Sequence, residues 1–341
     1  MKHMLHCIRN NTGLTSMVWF VGAVLIIEAT LAVWGPESTL VNEYRQVLAR
    51  ARSEPAPDLL VMGDSVARGS ILTGVLREQL GKDTSIRNDA MQGTGPEIAY
   101  FTLKRMVSAG QVPGAILYAP SPHTFVSTRM HIAAGGFCTW AEMVELVRDG
   151  RDRMDILGNT LLRFSYTLRY REQIAELLRG HREVCALFSQ PELDEDKRMV
   201  GYERDRTQRE QVDHSQQAVK ALFRMPFSVA PINRLYLDRF LALARRHGIQ
   251  VYWATPPCPQ RGYDSREQFG FNTDYYRFLD KLAMRPQVTV LLREFPIYPD
   301  ADFSDQTHFD IPASRRFSTD LGRRLKIAWK AGARIDLRSP P

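Results

Sequence analysis

The sequence predicts an α/β fold in which helices cover both faces of a five-stranded parallel sheet. Short apolar segments alternate with amphipathic segments along most of the chain, and this alternation is typical of parallel strands joined by helical crossovers. The short segment at residues 59–62 is entirely apolar, as expected for a strand that is buried on both faces. Hydrophobic residues make up 44% and charged residues 24% of the 341 residues, which allows a substantial buried core.

Five segments are predicted as strands, and amphipathic segments between them are predicted as helices. The strands are expected at residues 59–62, 84–87, 115–119, 249–254 and 288–292. A helix is expected over residues 71–80, and three more are expected to begin at Pro96, Pro231 and Pro312, because proline is well tolerated in the first helical turn. Asp310 is expected to cap the last of these helices.

The charge and the cysteine pattern argue against two classes of ligand. The formal net charge is +7, but basic residues are mixed with acidic ones and no nucleic-acid-binding motif occurs. We therefore expect no nucleic-acid partner. The four cysteines, Cys7, Cys138, Cys185 and Cys258, lack metal-binding spacing, so we expect no structural zinc site. Nothing else in the sequence implies a metal or an organic cofactor. Cys138 and Cys185 are a candidate disulfide pair in an oxidising compartment.

A long apolar run near the N-terminus predicts a membrane anchor. Residues 14–34 form a run of 21 residues, and a helix of that length spans a bilayer core of roughly 30 Å. Lys2 and Arg9 precede the run, and Glu37 and Glu43 follow it, which by the positive-inside rule places the N-terminus in the cytoplasm. We expect a single-pass protein of the inner membrane with its main domain in the periplasm. A cleaved signal peptide is the alternative.

These features divide the chain into three parts. Residues 1–36 are expected to form a cytoplasmic tail and the anchor, residues 37–58 a juxtamembrane helix and linker, and residues 59–341 the main domain. Residues 139–230 interrupt the alternation of strands and helices with amphipathic runs and with a highly charged segment over 192–217. This insertion would be a lid, a polymer-binding face, a partner-docking surface or a solvated structural appendage.

A serine follows the first predicted strand in a position suited to nucleophilic chemistry. Gly63, Asp64 and Ser65 come directly after the apolar strand and precede a helix. Ser65 would therefore lie at the carboxyl edge of the sheet, where such folds bind ligands. Its backbone N–H would stabilise an oxyanion, and the helix N-terminus favours negative charge. Gly-Asp-Ser also forms ordinary turns, so the tripeptide needs support from elsewhere in the chain.

An Asp-x-x-His pair supplies that support near the other end of the chain. Asp305 and His308 lie after the last predicted strand and just before the final helix. A serine hydroxyl is a poor nucleophile until a base removes its proton. His308 is the candidate base, and Asp305 is the candidate group that orients its ring.

Two further loops follow predicted strands and contain candidate oxyanion or binding residues. After the second strand, residues 88–93 run from Asn88 to Gly93, and a glycine there lets the backbone N–H approach a substrate carbonyl. After the third strand, residues 119–123 contain Ser121 and His123. A plain turn is the alternative interpretation of the first loop.

Taken together, these segments resemble the SGNH, or GDSL-like, hydrolase superfamily. Gly63-Asp64-Ser65 resembles its first block, Gly93 its second-block glycine, and the segment from Asp305 to His308 its last block. The resemblance covers roughly residues 59–329 without the insertion, and it implies a three-layer α/β/α sandwich. The family's third block supplies an asparagine, which is absent here. Either Ser121 or His123 would take its place, or the oxyanion hole would have only backbone donors.

The resemblance and the predicted anchor imply an activity. The chain is similar to anchored SGNH proteins that act with a membrane-bound O-acyltransferase to acylate exported polysaccharides or other envelope glycans. The implied reaction transfers an acyl group, from an acetyl ester or a thioester, through Ser65 to a glycan acceptor. Two alternatives stay open, a carbohydrate or lipid esterase and a non-catalytic scaffold that binds a polymer, because a fold alone does not fix a function.

Overall fold

A parallel sheet forms the centre of the computed structural model, which describes residues 12–34, 39–126, 137–150, 226–304 and 307–332. The strands are β1 (Leu59–Gly63), β2 (Ile86–Asn88), β3 (Ala115–Ala119), β4 (Gln250–Ala254), β5 (Cys258–Pro259), β6 (Val288–Leu292) and β7 (Ile297–Tyr298). Five of them form one sheet in the order β2-β1-β3-β4-β6, all parallel. The predicted five-stranded parallel sheet is therefore confirmed. The sequence did not predict the small parallel sheet of β5 and β7.

Helices connect the strands and extend beyond them at both ends. They are α1 (Thr12–Trp34), α2 (Thr39–Ser53), α3 (Ser65–Ser70), α4 (Thr73–Leu80), α5 (Pro96–Ser108), α6 (His123–Val126), α7 (Trp140–Asp149), α8 (Pro231–Arg246), α9 (Gln260–Glu267), α10 (Phe271–Ala283) and α11 (Ile311–Gly332). The predicted helix at residues 71–80 begins later, because Ile71 and Leu72 have extended backbone dihedrals. Asp310 caps α11 as expected, since its Oδ1 accepts a hydrogen bond from the Ala313 N–H at 2.8 Å.

Both faces of the sheet are buried, and the alternation of side chains along β1 shows how. Leu60 and Met62 pack into a core that contains residues of α5, α8 and α10. Leu59 and Val61 pack into a second core with residues of α3, α4 and α11. Successive side chains of a strand point to opposite faces, so each strand contributes to both layers of helices. The architecture is a three-layer α/β/α arrangement.

The order of the strands places β1 at a topological switch point. From β1 the chain moves to one side to form β2 and then crosses to the other side to form β3. In open parallel sheets, the crevice beyond the carboxyl ends of the strands at such a point is the usual ligand site. The residues that follow β1 and β3 therefore occupy the favoured position for a functional site.

The last helix is bound to the segment that follows β1. The Ser314 hydroxyl donates to the Gly69 carbonyl at 3.0 Å, and the Ser318 hydroxyl donates to the Ser70 carbonyl at 2.9 Å. Ser318 Oγ also accepts a hydrogen bond from the Leu72 N–H at 2.8 Å. These bonds fix α11, and the loop before it, against the beginning of the domain.

The predicted membrane span is not supported by the structure. Residues 12–34 form helix α1, but in the part of the chain that the structure describes no helix is long and apolar enough to cross a membrane. Of the predicted insertion, the amphipathic run at residues 143–147 lies in α7. The second run at 156–178, the charged segment at 192–217 and Cys185 lie outside the described residues.

Candidate active site

Ser65 begins helix α3 at the carboxyl edge of the sheet, and a tight turn places it there. Gly63, the last residue of β1, has a φ of +154°, and a Cβ at this position would lie 2.6 Å from the Ala67 Cβ and 2.7 Å from the Ala119 carbonyl oxygen. Only glycine allows this close approach. Asp64 then caps α3, because its Oδ1 accepts a hydrogen bond from the Val66 N–H at 3.0 Å. Ser65 itself is half-buried.

His308 lies in a loop that is closed by hydrogen bonds between its own residues. The His308 carbonyl accepts hydrogen bonds from the N–H of Ser304 at 2.8 Å and from its hydroxyl at 3.1 Å. An antiparallel bridge joins Phe303 to Phe309 across the same loop. Since Asp310 caps the following helix, both sides of His308 are restrained. The ring is therefore presented from a defined backbone position.

The structure brings Ser65 and His308 together. The His308 Nε2 lies 2.9 Å from the Ser65 Oγ, although the two residues are 243 positions apart in the sequence. This is hydrogen-bond distance for a general base and its nucleophile. The other ring nitrogen, Nδ1, lies 3.3 Å from the Thr307 hydroxyl. Asp305 lies outside the described residues, so its role in orienting His308 stays a prediction.

Asp64 connects the turn after β1 to the turn after β3. Its Oδ2 accepts a hydrogen bond from the Ser121 N–H at 3.1 Å and lies 4.0 Å from the His123 Nε2. The Asp64 carboxylate is 2% exposed. Because its oxygens accept these bonds, Asp64 organises the site and does not itself donate to an oxyanion.

Ser65 and His308 together are called the dyad. His123 lies beside the dyad, at the beginning of α6. Burial lowers the pKa of His123, and although the Asp64 carboxylate opposes this effect, Arg266 and His308 lower the pKa further. The imidazole is therefore neutral at neutral pH and retains one N–H to donate. Ser121 is buried as well, and its hydroxyl has no hydrogen-bond partner among the described residues.

The loop after β2 is held against the end of β1. The Met91 N–H donates to the Gly63 carbonyl at 3.1 Å. The Thr94 hydroxyl lies within hydrogen-bond distance of two carbonyls, that of Gly63 at 2.9 Å and that of Met91 at 2.8 Å. Gly93 lies between Met91 and Thr94 with a φ of +67°, which favours glycine. The loop is thus attached two residues before Ser65. Thr94 was not predicted as a functional residue, and its only signal in the sequence is its position beside Gly93.

Asn88 has structural partners in this loop. Its amide donates to the Ile71 carbonyl at 3.2 Å, and its Oδ1 accepts a hydrogen bond from the Ala90 N–H at 3.0 Å. The side chain therefore shapes the turn after β2 and links it to the end of α3.

Other features of the described chain lie away from this site. A groove of about 530 Å³ is lined in part by Arg245, Arg246 and Arg285. These residues precede β4 and β6 and so lie at the amino edge of the sheet, opposite to Ser65. No group of His, Cys, Asp and Glu suited to a metal ion occurs among the residues described.

Comparisons with known proteins add little to this picture. No family model matches the chain, and no curated protein matches it. A solved structure described as "a putative platelet activating factor from Streptococcus pneumonia" is 12% identical, with 89% of this chain and 98% of that chain covered and a TM-score of 0.39. A likeness at that level supports no statement about function. The function must therefore be argued from the side chains.

Proposed function

We propose that the chain is a serine-dependent acyltransferase of the SGNH type that moves an acyl group onto a hydroxyl of an envelope glycan. The observation that carries the proposal is the distance of 2.9 Å between the Ser65 Oγ and the His308 Nε2. The pair lies at the carboxyl edge of the sheet beside the switch point, where this class of fold binds ligands.

The proposed reaction has two steps with one acyl-serine intermediate. His308 removes the proton of Ser65, and Ser65 Oγ attacks the carbonyl carbon of an acetyl ester or a thioester. The tetrahedral intermediate collapses, and the leaving group departs with the proton from His308. The acceptor hydroxyl then gives its proton to His308 and attacks the acyl carbon. The bond between the acyl carbon and the Ser65 Oγ breaks, and His308 returns the proton to Ser65.

The developing oxyanion needs hydrogen-bond donors in this mechanism. We assign that role to the backbone N–H groups of Ser65 and Gly93, with neutral His123 as the side-chain donor that replaces the missing asparagine. Three observations support this assignment, namely the attachment of the Gly93 loop to Gly63, the position of His123 beside Asp64, and the lowered pKa of His123. Removal of one such donor costs about 10²–10³-fold in kcat in a well-studied protease.

Hydrolysis is the second candidate, since water is able to take the place of the glycan hydroxyl. Ser65 and His308 are both partly exposed, which favours access by water. A transferase must therefore bind its acceptor well enough to compete with water at about 55 M.

The test compares each dyad variant with a matched control. The full chain would be reacted with p-nitrophenyl acetate and with a fluorophosphonate probe that labels activated serines. Ser65→Ala should abolish labelling, and His308→Ala should lower kcat on the order of 10²–10⁴-fold. The exposed residues Ser53 and His247 provide the controls Ser53→Ala and His247→Ala, which should behave like wild type. Equal rates for wild type and both dyad variants would refute the proposal.

The same preparations distinguish the two candidates. Neutral and uronate-containing oligosaccharides would be added as acceptors, and mass spectrometry would measure acylated sugar against free acetate. Acylated sugar that requires Ser65 identifies a transferase, whereas free acetate alone identifies an esterase.

The location of the chain is also a proposal. The distribution of charge around the N-terminal run at residues 14–34 supports an inner-membrane location with the main domain in the periplasm, although no described helix is long and apolar enough to cross a membrane. In that setting a membrane-bound O-acyltransferase is the proposed source of acyl groups. Release of the protein from membranes by alkaline carbonate, or protection of the main domain from protease added to spheroplasts, would contradict this location.

A further inference from the structure

Helix α2 precedes the first strand of the sheet, yet it contacts the loop that carries Gly93. The Tyr44 hydroxyl donates a hydrogen bond to the Gln92 carbonyl at 2.8 Å, across 48 positions of sequence. Gln92 is the residue directly before Gly93. The Tyr44 side chain is 1% exposed, and its ring packs edge-on against Phe137 with centroids 5.9 Å apart. Tyr44 is therefore fixed by packing and is able to fix Gln92.

A second contact joins α2 to the beginning of the same loop. The Arg50 Nη2 lies 3.1 Å from the Asp89 Oδ1, and Asp89 is the first residue after β2. The side chain of Asp89 is fully buried, and its other oxygen accepts a hydrogen bond from the Arg87 Nε at 3.0 Å. A charged contact at such depth is a strong positional restraint. Helix α2 thus holds the loop at Asp89 and at Gln92.

The opposite side of the loop is held by the sheet. The Met91 N–H donates to the Gly63 carbonyl, and the Thr94 hydroxyl lies between the carbonyls of Gly63 and Met91. Gly93 itself has open space within 4 Å of where a Cβ would be, so side-chain packing does not fix it. The position of the Gly93 N–H therefore depends on how the neighbouring residues of the loop are held. Helix α2 holds two of them, Asp89 and Gln92.

We propose that α2 is a positioning element for the oxyanion loop, with Tyr44 and Arg50 as its positioning residues. This inference rests on the proposed function, because the position of the Gly93 N–H matters only if negative charge develops at a substrate carbonyl. Electrostatic stabilisation of that charge requires donors held in place before the reaction. Helix α2 would supply part of this preorganisation from outside the α/β/α layers.

The experiment measures catalysis and folding separately in the full-length chain. Tyr44→Phe removes only the hydroxyl that reaches Gln92, and we expect about a fivefold lower kcat for p-nitrophenyl acetate with KM unchanged. Labelling by the fluorophosphonate probe should slow by a similar factor, because its adduct places an oxygen in the same position. Arg50→Met should show the same pattern, and Arg50→Lys, which keeps the charge, should recover part of the loss.

Tyr100→Phe is the matched control on the neighbouring helix α5. No hydrogen bond from the Tyr100 hydroxyl occurs in the described part of the chain, and its ring lies near Tyr236. Tyr100→Phe should leave kcat and the labelling rate unchanged. Thermal unfolding of every variant would show whether a lower rate reflects a smaller folded fraction or a slower reaction of the folded protein.

The outcomes separate this inference from the proposed function. If wild type is active and Tyr44→Phe and Arg50→Met match it in kcat and labelling, the positioning role is refuted while the acyl-transfer proposal stands. A loss of thermal stability without a change in kcat would also refute it, since that pattern indicates a purely structural helix. If wild type fails to react in a Ser65-dependent way, the proposed function fails and this inference fails with it.

Discussion

Substitution of Gly63 by alanine tests whether the close packing at the end of β1 sets the position of the nucleophile. A Cβ at residue 63 would lie 2.6 Å from the Ala67 Cβ and 2.7 Å from the Ala119 carbonyl oxygen. Atoms do not pack at these distances, so the turn after β1 must move away from β3 or from α3. Ser65 is two residues further along the same turn and would move with it.

The expected loss of stability in Gly63→Ala has two parts. Overpacking of a well-packed core costs about 1–3 kcal/mol, and an alanine held at the φ of +154° of Gly63 adds strain of about 1–3 kcal/mol. Gly63→Ala should therefore lower the free energy of unfolding by about 4 kcal/mol. A displacement of about 1 Å at a reacting group is enough to reduce the rate about 100-fold. We expect a loss of that size in the fluorophosphonate labelling of folded protein.

Two glycines provide matched controls for the two parts of this cost. Gly110 has a φ of +76° with open space around it, so Gly110→Ala carries the backbone strain without the clash. Gly69 lies in α3 with open space and no unusual φ, so Gly69→Ala should be neutral or slightly stabilising. Urea unfolding, followed by the fluorescence of the buried Trp253, gives the stabilities.

Two outcomes for Gly63→Ala would contradict this reasoning. If Gly63→Ala costs no more stability than Gly110→Ala, the clash does not determine the turn. If stability falls but folded protein is labelled at the wild-type rate, the packing of Gly63 does not control the position of Ser65.

Three further predictions concern charge and hydrogen bonding. Burial raises the pKa of Glu142, but hydrogen bonds from Arg105 and Thr139 outweigh it and hold the pKa below its usual value. Glu142→Gln should therefore lower the free energy of unfolding by about 2 kcal/mol at pH 7, and the difference should vanish as the pH falls below about 4. Because burial lowers the pKa of His123, wild type should lose stability below about pH 6.5, and His123→Gln should lose less. Urea unfolding between pH 3 and 8 checks the predictions for Glu142→Gln and His123→Gln. For each variant, a free energy of unfolding that runs parallel to that of wild type across this pH range would contradict the prediction. Asp64→Asn turns one of two acceptor oxygens into a donor, so it should destabilise the fold by about 1–3 kcal/mol in the same assay at pH 7; an unchanged unfolding midpoint would show that the bond to Ser121 is dispensable.

The sequence predicted the centre of the sheet well, because β1 and β3 are apolar and buried. The strands at residues 115–119 and 288–292 have the predicted bounds. The second strand begins at Ile86, later than predicted, since the Ser85 hydroxyl and N–H bond to the Asp58 carboxylate at 2.9 and 2.8 Å. The partner of Ser85 is 27 positions away in the sequence, so the residues next to Ser85 do not reveal that the strand begins after it.

The candidate dyad was also predictable, whereas the contact between α2 and the loop after β2 was not. Ser65 and His308 each follow a local pattern that the chemistry requires, and the fold brings them together. The bond between Tyr44 and Gln92 has no comparable signal, because a tyrosine in an amphipathic helix is usually a packing residue. Helix α10 was not predicted, although its aromatic residues Tyr275 and Phe278 are buried in the core and Tyr276 is half-buried.

The bonds between α11 and α3 have a consequence for the time at which the site forms. Ser65 and His308 are 243 positions apart, and the hydrogen bonds of Ser314 and Ser318 to the α3 segment span similar distances. Contacts between such distant segments form late, because the loop between them must first be closed. As synthesis proceeds from the N-terminus, Ser65 is made long before His308. In the proposed mechanism, the growing chain therefore carries an unactivated serine, and its nucleophilic reactivity begins only when the final helix docks.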